Sequence, residues 1–300
     1  MTRDHQANIY LLLTIFWWST VAAVFKLVLR RLPVADLLLL ATLTSTLLLW
    51  VLLLARGGRV LLRQQSSREL ALSALQGALN PVLYYLVLFN AYKLLPAQQA
   101  QPLNFTWPLM LMLLSVPLLK QQLTWRKMLA LVVSYTGVLL VVTRGNLVVP
   151  GPGELSGVVL ALSSTGLWAL FWLLNLRDQR DDLLKLAMAF SWGSLYLVCA
   201  LPFRGMVELP ALAELGGAFY IGLFEMGFTF FFWLRALSLA RNPALPLNAI
   251  YLTPFISLIW IHQLVGEQIH YTAILGLLLI VLGIVLQRSA PAVSVVGKRS

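Results

Sequence analysis

Ten apolar runs, each about as long as a membrane is thick, follow one another along the chain with short polar connections between them. An α-helix needs about 20 apolar residues to cross a hydrocarbon core of about 30 Å. Apolar residues make up 60% of the chain and charged residues 11%, whereas a soluble domain has roughly 25% charged residues. The sequence therefore predicts an all-α membrane protein with ten transmembrane helices, at about 8–28, 34–55, 70–92, 96–119, 126–143, 155–176, 183–203, 216–239, 243–264 and 270–287.

The basic residues are distributed unequally between the two ends of these runs. Sixteen lysines and arginines fall on the side of the N-terminus, and six fall on the opposite side. Cytoplasmic loops of membrane proteins carry an excess of Lys and Arg. We therefore predict that both termini face the cytoplasm and that residues 288–300 form a cytoplasmic tail.

The net charge of +11 does not indicate a nucleic-acid partner, because no basic face with stacking aromatic residues lies outside the apolar runs. A single cysteine, Cys199, excludes an internal disulfide and a Cys-rich metal site. The chain also lacks the spacings typical of phosphate loops, metal sites and activated nucleophiles. We expect no catalytic residues, no cofactor and no metal. An intramembrane enzyme would need such a cluster at membrane depth, and a non-transporting membrane scaffold remains a further alternative.

A Pro-Leu-Asn triplet with a second proline after it occurs twice, as PLNFTWP at 102–108 and as PLNAIYLTP at 246–254. The runs that follow also match, because LTWRKMLALVVSYTGVLL from Leu123 aligns with IHYTAILGLLLIVLGIVL from Ile269 at an offset of 146. We interpret the chain as a five-helix unit written twice. The first repeat covers 8–143 and the second covers 155–287. Because five is odd, the second copy enters the membrane from the opposite face, which gives an inverted repeat.

Prolines interrupt the third, fourth and ninth runs near their middle. Proline removes a helical hydrogen bond and kinks the helix, so Pro81, Pro108 and Pro254 are predicted hinges. Pro108 aligns with Pro254, whereas Asn104 aligns with Asn248 only if the second repeat has a two-residue insertion. In transporters built from inverted repeats, the substrate lies near the midplane beside interrupted helices.

Aromatic and polar side chains are expected at the middle depth of several runs. Trp and Tyr normally gather at the membrane interfaces, and a deep indole or phenol group needs a hydrogen-bond partner that lipid cannot supply. We therefore predict an aromatic cavity that suits flat, amphipathic or cationic solutes. The predicted substrate-binding residues are Trp17, Asn80, Tyr84, Tyr85, Asn104, Trp107, Trp168, Glu225, Asn248 and Tyr251.

Glu225 is the acidic residue that lies deep within a run, in LFEMGFTFFFWLRAL. A carboxyl group at this depth is costly and therefore points to function. Three interpretations stay open from the residues alone. Glu225 is a candidate for proton coupling, for recognition of an amine or other cation, or for a structural carboxyl group bonded to its neighbours.

Small residues recur in the fifth and tenth runs and permit close approach of two helix backbones. They are Ala130, Ser134, Gly137, Gly276 and Gly283. These two helices carry few polar groups, so we assign them to scaffold contacts or to the contacts of a homodimer.

Five stretches together resemble the drug/metabolite transporter superfamily in its ten-helix EamA form. They are WWS at 17–19, NPVLYY at 80–85, AQPLNFTWP at 100–108, LFEMGFTFFFWLRAL at 223–237 and TPFISL…GEQI at 253–269. The resemblance covers about 8–287. It implies a basket of helices around a central cavity, with the fifth and tenth helices outside it, and export of small metabolites or xenobiotics across the bacterial inner membrane.

The NFTWP stretch is similar to that of bacterial aromatic-amino-acid exporters in this superfamily. The similarity implies that Trp17, Trp107 and Trp168 line the cavity and that the solutes are amino acids or related amphipathic metabolites. Glu225 departs from the pattern of those exporters, so the alternative is a multidrug exporter of lipophilic cations with Glu225 as the counter-charge. The expected partners are a small-molecule substrate and membrane lipids.

Overall fold

The computed structural model describes residues 3–58, 61, 65–119, 123–145, 151–203, 210–241 and 244–288, and every regular element in these residues is helical. Each predicted run coincides with one helix or with consecutive helical pieces. The predicted tail lies outside the described residues except for residue 288. The α-helices are Arg3–Val28, Val34–Ala55, Ser67–Gly77, Tyr84–Leu94, Ala97–Asn104, Trp107–Leu119, Trp125–Thr143, Pro152–Arg177, Asp182–Cys199, Leu212–Tyr220, Phe228–Leu239, Ala244–Ala249, Thr253–Trp260 and Tyr271–Arg288.

Eight of the ten predicted segments are helices long and apolar enough to cross a membrane. The final helix is apolar but shorter, and the fourth segment is divided into two short helices. Leucine and valine side chains point outward from these helices, as in Leu47 and Val132, which are 68% and 62% exposed. Such exposed apolar surface requires lipid around it. The described helices are therefore those of a multi-pass membrane protein.

The fourth and ninth segments are broken at corresponding places. A turn at Phe105–Thr106 divides the fourth segment, and a tight turn at Ile250–Leu252 divides the ninth. Pro108 and Pro254 each lie in the first turn of the helix that follows the break. Proline is favoured there because its missing N–H would have no intrahelical partner. The two prolines therefore begin new helices rather than kinking continuous ones.

The third and eighth segments are also interrupted. In the third, the backbone leaves the helical conformation at Asn80, within the wide turns at Ala78–Leu83 that contain Pro81. In the eighth, a wide π-type turn at Ile221–Glu225 is followed by a non-helical turn at 226–227. Pro81 packs against the seventh segment at Gly193, where an added Cβ would lie 2.6 Å from the proline ring. π-Type turns are frequent at functional sites in helices, and these two bring irregular backbone to the middle of the bundle.

The fifth and tenth segments pack against each other, antiparallel and with their backbones close together. The Ser134 hydroxyl donates to the carbonyl of Ile280 over 3.1 Å. Gly137 faces Gly276, and Gly283 faces Ser134 and Ala130. The small-residue faces expected to serve a scaffold or a homodimer are thus used within one chain. Contact between two copies would use the opposite, exposed apolar faces of these helices.

A buried ion pair fixes the connection between the sixth and seventh segments. Arg180 and Asp178 approach to 2.6 Å with side chains only 7% and 3% exposed. Arg180 also donates to the Gln65 side chain over 2.8 Å, and Lys185 donates to the Asp178 carbonyl. Arg180 therefore ties the connection to Gln65, just before the third segment, and Lys185 holds the connection from the seventh segment.

Loss of this ion pair should lower the stability of the protein, and the effect should depend on pH. We expect Arg180→Gln to cost about 1.5 kcal/mol, since it leaves a buried carboxylate without its strongest partner. Burial raises the pKa of Asp178, but hydrogen bonds and charge from Arg180 outweigh it, so the pKa lies below the ordinary 3.8. The stabilisation is therefore present above pH 3.8 and is lost as the pH falls through the lowered folded-state pKa. Thermal unfolding in detergent between pH 3 and 7 measures it.

The exposed pair of Arg144 and Glu154 is the matched control, because its side chains are 41% and 28% exposed. Arg144→Gln should change stability by less than about 1 kcal/mol. Equal losses in both variants would show that burial of the Asp178 pair has no special effect.

Candidate functional site

A cavity of about 80 Å³ lies in the middle of the bundle, with room for several water molecules. Nine of its fifteen lining residues are aromatic, and five of those are tryptophans. None of the lining residues in the described part of the chain is basic. The lining consists of Trp18, Val21, Phe25, Tyr84, Leu88, Tyr92, Gln101, Asn104, Phe105, Trp107, Trp168, Trp172, Glu225, Trp233 and Ile250.

Glu225 supplies the carboxyl group of the cavity. Its side chain is 8% exposed, and one oxygen, Oε1, accepts a hydrogen bond from the Tyr85 hydroxyl over 3.0 Å. The other oxygen, Oε2, has no hydrogen-bond partner among the described residues. Buried polar atoms in proteins almost always have a partner. The free oxygen is therefore the atom of this cavity best suited to a cationic or hydrogen-bond-donating ligand.

The break in the eighth segment positions the Glu225 carboxyl group at the cavity. Three consecutive carbonyls are released from the helix where the wide turn ends, and each accepts from a side chain. The Thr229 hydroxyl donates to the backbone carbonyl of Phe224. The Trp18 indole donates to the backbone carbonyl of Glu225 over 3.4 Å, and the Ser45 hydroxyl donates to that of Met226 over 2.9 Å. A broken helix is tolerated at membrane depth only when its backbone groups are satisfied in this way.

Aromatic rings form a connected wall around the carboxyl group. Tyr84 lies 4.6 Å from Trp168, ring centre to ring centre, and Trp168 lies 5.6 Å from Phe230. Phe230 is 5.8 Å from Trp18, which is 6.0 Å from Trp233. These distances are those of favourable aromatic pairs. The wall presents ring faces and edges near a single acidic group, which is the composition that holds organic cations.

Two amide side chains complete the polar part of the cavity. Asn104 accepts from the Tyr84 hydroxyl over 3.3 Å and donates to the Ser164 hydroxyl over 3.0 Å. Gln101 accepts from the Tyr92 hydroxyl over 2.8 Å. Both amides belong to the helix Ala97–Asn104, which ends at the break in the fourth segment. The break therefore turns the amides toward the cavity.

The structure brings together half of the ten residues predicted from the sequence. Tyr84, Asn104, Trp107, Trp168 and Glu225 line the cavity. Tyr85 is fully buried and holds the Glu225 carboxyl group instead of facing the cavity.

The other four predicted residues lie away from the lining. Trp17 stacks on Phe224 with ring centres 4.0 Å apart. Asn80 is fully buried, and its amide has no hydrogen-bond partner among the described residues. Tyr251 is buried behind the lining, whereas Asn248 is exposed.

Sequence reasoning missed several lining residues, among them Trp18, Gln101 and Ile250. Gln101 could have been found, because it lies one turn before Asn104 on the same helix. Ile250 could also have been found, because it lies 146 residues after Asn104, and 146 is the constant offset between the repeats. In the described residues, no three side chains of His, Cys, Asp or Glu come together as a group that could hold a metal ion.

Fold and cavity together define a multi-pass helical membrane protein with an internal aromatic cavity. The family model of the EamA-like transporter family matches residues 5–143 and 155–288. The chain therefore belongs to this family, which is a family of membrane transporters. The resemblance to the drug/metabolite transporter superfamily is confirmed, and the partners that the family implies are a small-molecule substrate and membrane lipids.

One solved crystal structure is similar to this chain with a TM-score of 0.66 at 20% sequence identity. The match covers 93% of this chain and 95% of the other. At this identity the similarity concerns the fold alone. The chain matches none of the curated proteins with which it was compared.

Proposed function

We propose that the protein exports small amphipathic solutes with a cationic nitrogen, and that Glu225 binds this nitrogen inside the aromatic cavity. The observation that carries the proposal is the Glu225 Oε2 oxygen, which is buried beside the cavity without a partner in the described residues. An ammonium group would complete its bonding, and the ring faces of Trp18 and Trp168 would contact the rest of the solute. Export rather than import follows from the resemblance to exporters.

Alternating access of two inverted five-helix halves, 8–143 and 155–287, is the proposed mechanism. The break at Phe105–Thr106 and the turn that contains Tyr251 are separated by the repeat offset of 146. Gly283 lies 146 residues after Gly137, and Ala130 lies 146 residues before Gly276. The contact of Gly137 with Gly276 therefore has a repeat-related counterpart in the contact of Gly283 with Ala130. These relations support ten spans with a pseudo-twofold axis in the membrane plane. Pro81, Pro108 and Pro254 would then lie at the moving joints.

In this proposal the protein spans the bacterial inner membrane with both termini in the cytoplasm, as the charge distribution predicts. A second role of Glu225 is proton coupling, in which the carboxyl group carries a proton whenever no cation is bound. Exchange of a solute cation against a proton in proteoliposomes tests this role. A flux that is unaffected by a pH gradient would count against coupling and leave facilitated transport.

Two solute classes share the cationic nitrogen, namely amino acids and lipophilic cations. The cavity favours lipophilic cations, because none of the described residues that line it is basic and could neutralise the carboxylate of an amino acid. Such a carboxylate would depend on neutral donors, of which the Trp172 indole N–H is buried without a partner among the described residues.

Four probes with related structures separate these classes in a thermal-shift assay. They are phenethylamine, phenylalanine, phenylpropionate and phenyltrimethylammonium. A ligand at 100 times its Kd stabilises the folded state by about 2.7 kcal/mol. We expect a raised melting temperature with phenethylamine and phenyltrimethylammonium, and none with phenylpropionate. A shift with phenylalanine alone would assign the site to amino acids.

Flux in proteoliposomes distinguishes a transporter from a membrane scaffold. The solute that gives the largest thermal shift should accumulate in or leave the vesicles faster than in protein-free controls. Binding without flux would support a scaffold or sensor role instead.

A further inference from the structure

A set of charged and amide side chains closes one end of the cavity by joining the two halves of the chain. Glu267, in the connection between the ninth and tenth segments, accepts from the backbone N–H groups of Ala97 over 2.8 Å and Gln98 over 3.1 Å. The Gln98 side chain returns to that connection, donating to the Gln268 carbonyl and accepting from the His270 N–H, both over 2.9 Å. We call Lys26, Gln98 and Glu267, with the backbone groups they bind, the latch.

Lys26 completes the latch from the first segment. Its ammonium group donates to the carbonyls of Tyr92 over 2.8 Å and Leu95 over 2.6 Å. These carbonyls belong to the end of the helix Tyr84–Leu94, where a helix leaves carbonyls without intrahelical partners. Glu267 correspondingly satisfies orphan N–H groups at the start of the helix Ala97–Asn104. Negative charge at a helix start and positive charge at a helix end are both favourable.

The latch lies directly beyond the cavity. Phe25 and Tyr92 line the cavity, and Lys26 is the residue after Phe25 and is bonded to the Tyr92 backbone. Gln98 precedes the lining residue Gln101 by three positions, about one helical turn. A solute that leaves by this end must therefore pass between groups that the latch holds together.

We propose that Glu267 is the gate residue of this end of the cavity, so that breaking its hydrogen bonds to Ala97 and Gln98 opens the cavity to the solvent on that side. The inference rests on the proposed transport function, because a gate has meaning only for a moving solute. Glu267 suits the role because one carboxylate from the second half holds two backbone groups and one side chain of the first half. Release of this one side chain removes three of these hydrogen bonds, and the bonds of the Gln98 side chain to Gln268 and His270 then hold the contact alone.

Cysteine accessibility tests the gate without any solute. The background variant carries Cys199→Ser, and Val21→Cys places a thiol in the buried cavity lining. A charged, membrane-impermeant maleimide is added to right-side-out and inside-out vesicles of the expressing cells, and the rate of labelling is measured in each. Using both vesicle types makes the result independent of which side of the membrane the latch faces.

Glu267→Gln should raise the labelling rate at least about tenfold in the vesicle type that exposes the latch. The substitution removes strong hydrogen bonds to a charged acceptor, and the glutamine –NH2 group cannot accept from the N–H group that it faces. Glu154→Gln is the control, since Glu154 pairs with Arg144 at the surface and forms no hydrogen bond with the latch in the described residues. Equal labelling rates in Glu267→Gln, Glu154→Gln and the background variant would overturn the proposal. A slower rate in Glu267→Gln would do so as well.

Two further measurements keep the outcomes separate. The melting temperature of each variant identifies general unfolding. If labelling increases equally in both vesicle types and the melting temperature falls sharply, the result counts against a gate. If labelling responds as expected but no solute is transported, Glu267 controls access of solvent to the cavity but the proposed transport function fails. If solute flux is normal and labelling does not respond, the gate fails alone.

Discussion

Glu225→Gln should weaken the binding of phenethylamine and phenyltrimethylammonium by about 100-fold and stop their flux. Glutamine has nearly the same size and can still accept from Tyr85, so the cavity keeps its shape while losing its negative charge. A buried charge pair that loses one partner costs about 2–5 kcal/mol, and 100-fold corresponds to about 2.7 kcal/mol. Titration of tryptophan fluorescence with each probe measures the change in Kd, since five tryptophans line the cavity.

Two matched variants give this prediction its control. Glu214→Gln removes a carboxylate from the start of the same segment, where Glu214 caps the Ala211 N–H, and should leave Kd within about twofold. Asn104→Ala removes a neutral hydrogen-bonding group from the lining and should weaken binding only several-fold. Cation affinities of Glu225→Gln within twofold of the unmodified protein would remove the counter-charge role and leave the proton-coupling and structural interpretations.

Segment positions could be predicted because the bilayer imposes a length and a composition on every crossing. Proline also marked the interruptions, but its role was less predictable. Pro108 and Pro254 were expected to break or kink the helices that contain them, and each lies in the first turn of a new helix. A turn that precedes a proline and a kink at the proline have the same sequence pattern, so only coordinates separate them.

The depth of the site residues could be predicted, but their rotation about the helix axis could not. Trp17 and Trp18 have the same depth and point about 100° apart. The first helix is apolar on all sides, so no polar face reveals which tryptophan turns inward. Trp18 lines the cavity, whereas Trp17 stacks on Phe224.

Asn248 illustrates a different difficulty. Matching its amide to Asn104 required a two-residue insertion, yet the constant offset of 146 relates Asn104 to Ile250, which lines the cavity. The shared asparagine suggested that Asn104 aligns with Asn248, whereas the backbone follows the alignment of Asn104 with Ile250. Contacts between distant segments, such as Glu225 with Tyr85 or Glu267 with Gln98, have no local pattern from which a sequence argument could begin.

The packing of the fifth and tenth segments leads to the second large effect, a loss of folding stability when Gly276 is enlarged. A Cβ at Gly276 would lie 2.6 Å from the Gly137 carbonyl oxygen and 2.5 Å from the Val141 side chain. Backbone cannot move aside as a flexible side chain can, so the two helices must separate. We expect Gly276→Ala to cost about 2 kcal/mol, and Gly276→Leu about 3 kcal/mol or more, by overpacking. Thermal unfolding in detergent, followed by tryptophan fluorescence, measures both.

Gly216→Ala is the control that makes the sign of this effect informative. Gly216 lies within the helix Leu212–Tyr220 and has no atom within 4 Å of an added Cβ. Alanine favours a helix over glycine by roughly 0.5–1 kcal/mol, so Gly216→Ala should be neutral or stabilising. Alanine also favours the helix at Gly276. Gly276→Ala therefore lowers the stability only if crowding costs more than the helix propensity of alanine contributes. If Gly276→Ala also raises the melting temperature, the fifth and tenth helices do not pack this closely, and the contacts that support the inverted repeat at this interface are lost with them.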